Sequence, residues 1–393
     1  MKAGKKVYFL EVGCPARVME SSRIRTYFQV NGHEIVTRPE SADYIIFSTC
    51  ALENDLKKVC HQTIIKLMTY PAKLIVTGCF PAVADVKRYD QRKVRFLAVK
   101  HIDKLDDIFK EFKIKFELLP EKNFVETGAA SDEGVRHERS IAILRIGVGC
   151  DEYCTYCVTR LAVGGIKSKP LGVCLAEYKG LLEKGYRYFK ILGEDVGAYG
   201  VDTGSSILEL LEEMSSIDPH YIKKPHDKVK LMITNFNPYW SVKYSEALKG
   251  VLKNGKIVSL SCPIQSGSDR ILRLMGRRYK IKDVERALLG FREVSPALRL
   301  FTHIIVGFPT ETHDDLMRSL AVIKRIVFSG VEVMPYSDHR ETPAYKLSHK
   351  VDAALILKRK HFAEYFLASN GFKHNNNTPR AITLQHLVNS ITR

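Results

Sequence analysis

The chain has 393 residues, enough for two domains, and its 45% hydrophobic and 27% charged residues are the balance of a folded protein with a real core. No run approaches the roughly eighteen apolar residues needed to span a bilayer. The apolar stretch in MKAGKKVYFLEVGC is too brief for a secretory leader, so a cytoplasmic protein with no membrane partner is expected. With 61 Lys+Arg against 44 Asp+Glu the formal charge is +17, which fits a polyanionic partner, nucleic acid first, or simply a basic surface.

Residues 1–120 read as an α/β domain. KVYFLEV (6–12), DYIIFST (43–49) and KLIVTG (73–78) are apolar runs rich in β-branched and aromatic residues, the pattern of buried parallel strands; VRFLAV (94–99) is a weaker fourth. Residues 17–32 and 52–68 carry apolar residues at helical spacing, the first closed by Gly32, and another helix is expected from about Asp103. Alternating units of this kind build a doubly wound parallel sheet covered by helices. The three clearest strands end at Cys14, Cys50 and Cys79. Ligands of open α/β sheets sit beyond the carboxyl ends of the strands, so these thiols can meet at one rim and share a metal. A free cysteine is more often a small buried hydrophobe, the reading given to Cys60, Cys174 and Cys262.

Residues 121–139 are polar and aperiodic, as in a linker. From 140 to 345 strands near 141–148, 187–192, 229–234, 257–262, 298–306 and 331–335 alternate with helices at 175–184, 206–215, 241–252 and 282–293. Thr312 and Asp315 form a capping box for one more helix. About six β/α units predict a partial or full (β/α) barrel with its active site at the strand C-termini. Residues 346–393 read as a basic, mainly helical extension, with an amphipathic helix closed at Asn370-Gly371. Nine Lys/Arg against three Asp/Glu from Arg340 onward make this tail a candidate electrostatic footprint.

GCDEYCTYC (149–157) sets Cys150, Cys154 and Cys157 in a C-x3-C-x2-C pattern just after the first barrel strand. A zinc site needs a fourth ligand, and the loop offers only Asp151 and Glu152 and no histidine. Thiolates are the ordinary ligands of iron–sulfur clusters, and three of them on a four-iron cube leave one iron free for a substrate.

The motif, with Tyr156 before the last cysteine, resembles the radical S-adenosylmethionine superfamily. VGC (12–14), ADYIIFSTC (42–50), IVTGC (75–79), ILGEDVGAYG (191–200), PIQSGSDRILRLMGRRY (263–279) and IIVGFPTET (304–312) resemble, in this order, the methylthiotransferase family within it. The resemblance implies two four-iron clusters, one on Cys150, Cys154 and Cys157 and an auxiliary one on Cys14, Cys50 and Cys79 that supplies or carries the sulfur. It further implies two molecules of S-adenosylmethionine per product, one giving a radical and one a methyl group, and a reducing electron donor such as flavodoxin or ferredoxin. Tyr156 would stack near the adenine or the cluster, and Glu194 would hydrogen-bond the cofactor. Asn235 and Gln265 would supply polar recognition or ordinary turn chemistry, Ser266 and Gly267 a close backbone approach, and Gly307 the adenine pocket or merely a turn.

Several positions depart from the family pattern: His303, Thr310, Val163 and Glu341 stand where Asp, Gly, Arg and Gly are usual. His303 reads as a strand residue with a satisfied hydrogen bond. The small RNA-gripping β-barrel that usually ends the family is not visible after residue 350. The expected substrate is a tRNA adenosine beside the anticodon, of the threonylcarbamoyl-adenosine kind. Protein or peptide methylthiolation, on a ribosomal-protein aspartate for example, is the alternative, and a non-catalytic metal-containing RNA-binding module the third.

Overall fold

The computed structural model describes residues 4–119, 124–126, 140–217, 221 and 228–372. They fall into two compact units, the first taking in residues 157–164 as well as the N-terminal stretch.

The first unit is a five-stranded parallel sheet built from β1 (Lys6–Glu11), β2 (Glu34–Val36), β3 (Tyr44–Thr49), β4 (Lys73–Gly78) and β5 (Val94–Ala98), in the order β2-β1-β3-β4-β5. Strand side chains alternate between faces. Ile46 and Ile75 pack with Ile24, Tyr27 and Phe28 of α1 (Pro15–Val30), while Ile45, Phe47, Leu74 and Val76 pack with Cys60, Ile64 and Leu67 of α2 (Asn54–Leu67). The sheet is doubly wound. Gly32 follows α1 at φ +81°, the left-handed position that closes a helix. The short edge strand β2 had no clear sequence signal, and the helix expected near Asp103 is a 3₁₀ stretch followed by the single turn α3 (Leu105–Ile108).

The second unit holds six parallel strands and one antiparallel edge strand: β6 (Phe124–Glu126), β7 (Ile141–Arg145), β10 (Tyr188–Leu192), β11 (Lys230–Ile233), β12 (Ile257–Ser261), β13 (Arg299–Val306) and β14 (Gly330–Pro335), with β8 (Gly147–Val148) and β9 (Lys167–Ser168) as a separate pair. The main sheet runs β14-β13-β12-β11-β10-β7-β6, so among the described residues the barrel is partial and open. β6 lies inside the segment expected to be linker and pairs antiparallel with β7; the remainder of 121–139 lies outside the described residues. The strands are joined or flanked by α4 (Val158–Val163), α5 (Leu171–Glu183), α6 (Ile207–Ile217), α7 (Pro238–Lys243), α8 (Ser245–Leu252), α9 (Asp269–Leu274), α10 (Ile281–Val294) and α11 (His313–Ile326). Of these, α4 belongs to the first unit, whose core includes its Val158 and Ala162. The Thr312–Asp315 capping box opens α11. The single helix expected over 241–252 is two, broken at Tyr244, whose ring stacks on Trp240 with centroids 5.5 Å apart.

The last described helix, α12 (Ala353–Ser369), is capped by Asp352 and ends at Asn370 before Gly371 at φ +76°. It is less amphipathic than expected. It buries Ala363 and Leu367, while Leu355, Leu357, Phe362 and Tyr365 are exposed. Residues 373–393 lie outside the described residues.

Candidate active site

In the first unit the cysteine trio follows from the topology. β1, β3 and β4 are parallel neighbours, so their carboxyl ends share one rim. Cys14 and Cys50 flank the point where the strand order reverses, the usual ligand crevice of such sheets. Cys14 is the N-cap of α1 with Pro15 behind it, and the ladder runs up to the rim through Val12 N to Ser48 O (2.9 Å) and Cys79 N to Thr49 O (3.0 Å). Gly78 sits at φ +93°, where a Cβ would lie 2.2 Å from the Thr49 carbonyl oxygen, so only glycine lets the strands meet there. Burial raises the Cys79 thiol above its ordinary value, the Arg17 guanidinium pulls it back, and Cys50 and Cys14 lie near enough to push it further up. All nine cysteines are thiols rather than disulfides.

Two features of this rim escaped the sequence reading. Arg17 and Glu20 form a buried ion pair at 2.8 Å, one turn into α1 from Cys14, and the Arg17 stem fills the space beside Gly13. A charged pair at i,i+3 behind a Gly-Cys turn was the available signal. Cys60 is wholly buried and donates its S–H to the Cys50 carbonyl at 3.1 Å, which supports that strand end; burial first, then Cys50, pushes its thiol up to about 12.

The β8–β9 pair closes the stem of the excursion that carries Cys150, Cys154 and Cys157. Gly149, at φ +94°, turns the chain into it and donates its N–H to Glu194 Oε2 at 2.9 Å. Glu194 is thus the brace of the loop. Its neighbour Asp195 is 2% exposed: Oδ2 accepts from Trp240 Nε1 at 3.3 Å and from the Cys150 thiol at 3.7 Å, and Oδ1 has no protein partner. Burial pushes the Asp195 carboxyl up to about 6, with Trp240 opposing. Thr155 is tied by its N–H to Met275 O (3.0 Å) and by its hydroxyl to Leu274 O (2.8 Å). Arg277 lies 6.0 Å from the Tyr156 ring centre; burial works against its charge, but Cys154 and Tyr156 hold it up. Asp195, Trp240 and Arg277 were not singled out from the sequence, although Asp195 stands in the GED triplet and Trp240 is the chain's one tryptophan.

The other expected residues have definite places. Tyr156 meets Phe308 edge-on with centroids 6.4 Å apart. Asn235 is left-handed (φ +47°) and spends its amide on the Gly193 carbonyl at 2.9 Å, holding the 193–196 turn. Gln265 is also left-handed (φ +63°); its backbone joins β13, and its buried Oε1 has no protein partner, an open acceptor at the strand rim. The Ser266 hydroxyl is turned inward, accepting from Ser268 N at 3.2 Å and facing Ser319. Gly307 packs against Ile356 of α12, and its N–H goes to Glu311 Oε2 at 2.6 Å. His303 faces Glu332 across the sheet at 3.3 Å. Thr310 adopts φ +67°, a conformation that favours glycine, and is held there by Arg270 and by the His349 carbonyl. Val163 is buried in α4.

Residues 6–98 match an uncharacterized protein family, UPF0004, and residues 144–323 match the radical SAM superfamily. A probable threonylcarbamoyladenosine tRNA methylthiotransferase of Pyrococcus horikoshii is 32% identical over 87% of this chain and 79% of its own length. The chain belongs to the radical S-adenosylmethionine methylthiotransferase family. The threonylcarbamoyladenosine tRNA methylthiotransferase MtaB of Thermotoga maritima is 30% identical over 91% of this chain and 82% of its own. The ribosomal protein uS12 methylthiotransferase RimO of Acetivibrio thermocellus is 29% identical over 91% and 80%. Among solved structures, the radical S-adenosylmethionine methyltransferase TsrM from Kitasatospora setae has the same fold, with a TM-score of 0.62 at 12% identity over 87% of this chain and 77% of that one.

The enzyme's cofactors are S-adenosylmethionine and iron–sulfur clusters of the [4Fe–4S] type. Its residues suit them. Cys14, Cys50 and Cys79 follow neighbouring parallel strands, and thiols are the donors such a cluster takes. No three His, Cys, Asp or Glu side chains among the described residues are gathered as for a single ion. Two orphaned acceptors, Asp195 Oδ1 and Gln265 Oε1, stand at strand ends where a polar cofactor can satisfy them. Among the described residues no helix is long and apolar enough to cross a membrane.

Proposed function

We propose that the enzyme methylthiolates a tRNA adenosine beside the anticodon, replacing a carbon-bound hydrogen of a threonylcarbamoyl-adenosine with a methylthio group. The observation that carries this reading is the 32% identity to a relative named for that nucleoside, spread over 87% of this chain. Cys150, Cys154 and Cys157 would hold one cluster and Cys14, Cys50 and Cys79 the other. When bound, these groups and S-adenosylmethionine supply the radical, the sulfur and the methyl group. The chain's own contribution is orientation. Glu194 fixes the backbone of the cysteine loop, Trp240 holds the Asp195 carboxyl, and Thr155 anchors the loop to the turn after α9. The Gln265 carbonyl oxygen would accept from a donor on the bound cofactor, and Tyr156, flanked by Phe308 and Arg277, would present a flat apolar face. A flavodoxin or ferredoxin would deliver electrons, and the tRNA substrate would be met in the cytoplasm.

Mass spectrometry of tRNA nucleosides from cells with and without the protein tests the assignment. The methylthio form of threonylcarbamoyl-adenosine should vanish with the protein. An unchanged nucleoside profile, with a methylthio group missing from a ribosomal protein instead, would move the enzyme to the second substrate class, in line with its likeness to RimO.

A further inference from the structure

The charge of the first unit is unevenly placed. Residues 54–100 hold ten Lys/Arg against three Asp/Glu, whereas 4–53 hold six against six and 101–119 four against five. Over residues 4–119 the positive excess therefore comes from α2, β4, β5 and the turns that join them. The sheet order puts β4 and β5 at one margin, with β5 as the edge, and α2 covers one face of that side. Contacts knit the charged pieces together. Arg88 Nη2 meets His61 Nε2 of α2 at 2.5 Å, and Lys93 Nζ reaches the Met68 carbonyl at the end of α2 at 3.4 Å. Leu74 N donates to the Lys93 carbonyl at 3.0 Å, which sets Lys73 and Lys93 side by side. Lys73, Lys87, Arg88, Lys93 and Arg95 are all exposed, while Asp90 is engaged by Arg92 and Asp55 by Lys58.

Like charges crowded on an otherwise balanced unit repel one another, and a polyanion relieves that repulsion. Flexible, exposed Lys and Arg at an edge suit phosphates, whose contacts fix position without reading sequence. We infer that the β5 margin of the first unit, with the outer side of α2, is the docking surface for the phosphate backbone of the RNA substrate. The assignment rests on the tRNA reading above. It places the electrostatic footprint in the N-terminal unit, where the sequence alone had pointed to the C-terminal tail.

The test is the affinity of the full chain for unmodified tRNA between 50 and 200 mM salt, by fluorescence anisotropy. A fourfold variant, Lys73→Gln, Lys87→Gln, Arg88→Gln and Lys93→Gln, should lower the log–log salt slope by about 3, because each lost phosphate contact removes about 0.7–0.9. Across that fourfold salt range, affinity should then change about sixty-fold less than in the parent. A control removes the same charge from exposed lysines of the second unit, Lys179→Gln, Lys184→Gln, Lys253→Gln and Lys282→Gln, and should keep the parent slope. An unchanged slope in the first variant, or equal flattening in both, overturns the surface. No salt-dependent tRNA binding by the parent overturns the tRNA reading itself, so the two failures are distinct. Should the fourfold variant lose iron on reconstitution, the pair Lys87→Gln and Lys93→Gln carries the test, with a slope change of about 1.5.

Discussion

Replacing Gly307 with alanine tests how the turn after β13 is held. The residue sits at φ +80°, and a Cβ built there would lie 2.4 Å from Ile356 Cγ1 and 3.0 Å from its Cβ and Cγ2. Isoleucine on a helix is stiff at χ1 and cannot swing clear. The left-handed backbone costs an alanine about 1–2 kcal/mol, and the overlap adds about 1–3 kcal/mol. Gly307→Ala should therefore destabilise the enzyme by roughly 2–5 kcal/mol. Ile356→Ala opens room for the new methyl, so in the double variant only the backbone part remains. Urea denaturation of the four proteins in the cycle should give a favourable coupling of about 1–3 kcal/mol. Strict additivity would refute the reasoning. So would a Gly307→Ala enzyme of parental stability that binds S-adenosylmethionine poorly, the outcome expected if the glycine only shapes an adenine pocket.

Two further outcomes bear on the site and its surroundings. Replacing Cys14, Cys50 and Cys79 with alanine should halve the iron of anaerobically reconstituted enzyme, from about eight to about four per chain, while S-adenosylmethionine cleavage survives; replacing Cys150, Cys154 and Cys157 should remove as much iron and abolish cleavage. Burial raises the Glu311 carboxyl from its ordinary 4.5 to about 7 against the opposing pull of Gly307 N–H and Arg359. The folded state then binds more protons at this group than the unfolded one between those values, so the contribution of Glu311 to stability is greatest below about pH 4.5 and declines as pH rises towards 7. That decline is worth about 3 kcal/mol at most, and Glu311→Gln should flatten it; an identical slope from pH 5 to 7.5 in both proteins would show that another group titrates.

The regular elements were legible because their signals are local. Short continuous apolar runs rich in β-branched and aromatic residues marked β1, β3 and β4, and the Thr312–Asp315 capping box marked the start of α11. The short strands β2 and β6 were not legible, since three residues carry too little pattern to rise above a loop, and their pairing depends on a neighbour supplied by the fold. The break at Tyr244 was hidden for a related reason: its ring stacks on Trp240, which the packing decides.

The sequence by itself determined the chemistry on offer, because cysteine spacing and strand-end position are properties of the chain. It also determined the two-unit α/β plan. Only the tertiary structure decided how neighbouring polar groups divide the work: Glu194 is bound to the loop backbone, Asn235 to a turn and Ser266 to the interior, while Asp195 and Gln265 keep an acceptor open. Hydrogen-bond partners lie tens of residues apart along the chain, and burial, which sets the cost of leaving an acceptor unmet, exists only once the sheet has closed over it. The same holds for the basic margin at β5, where residues from a helix, a turn and two strands form one charged surface only when folded together.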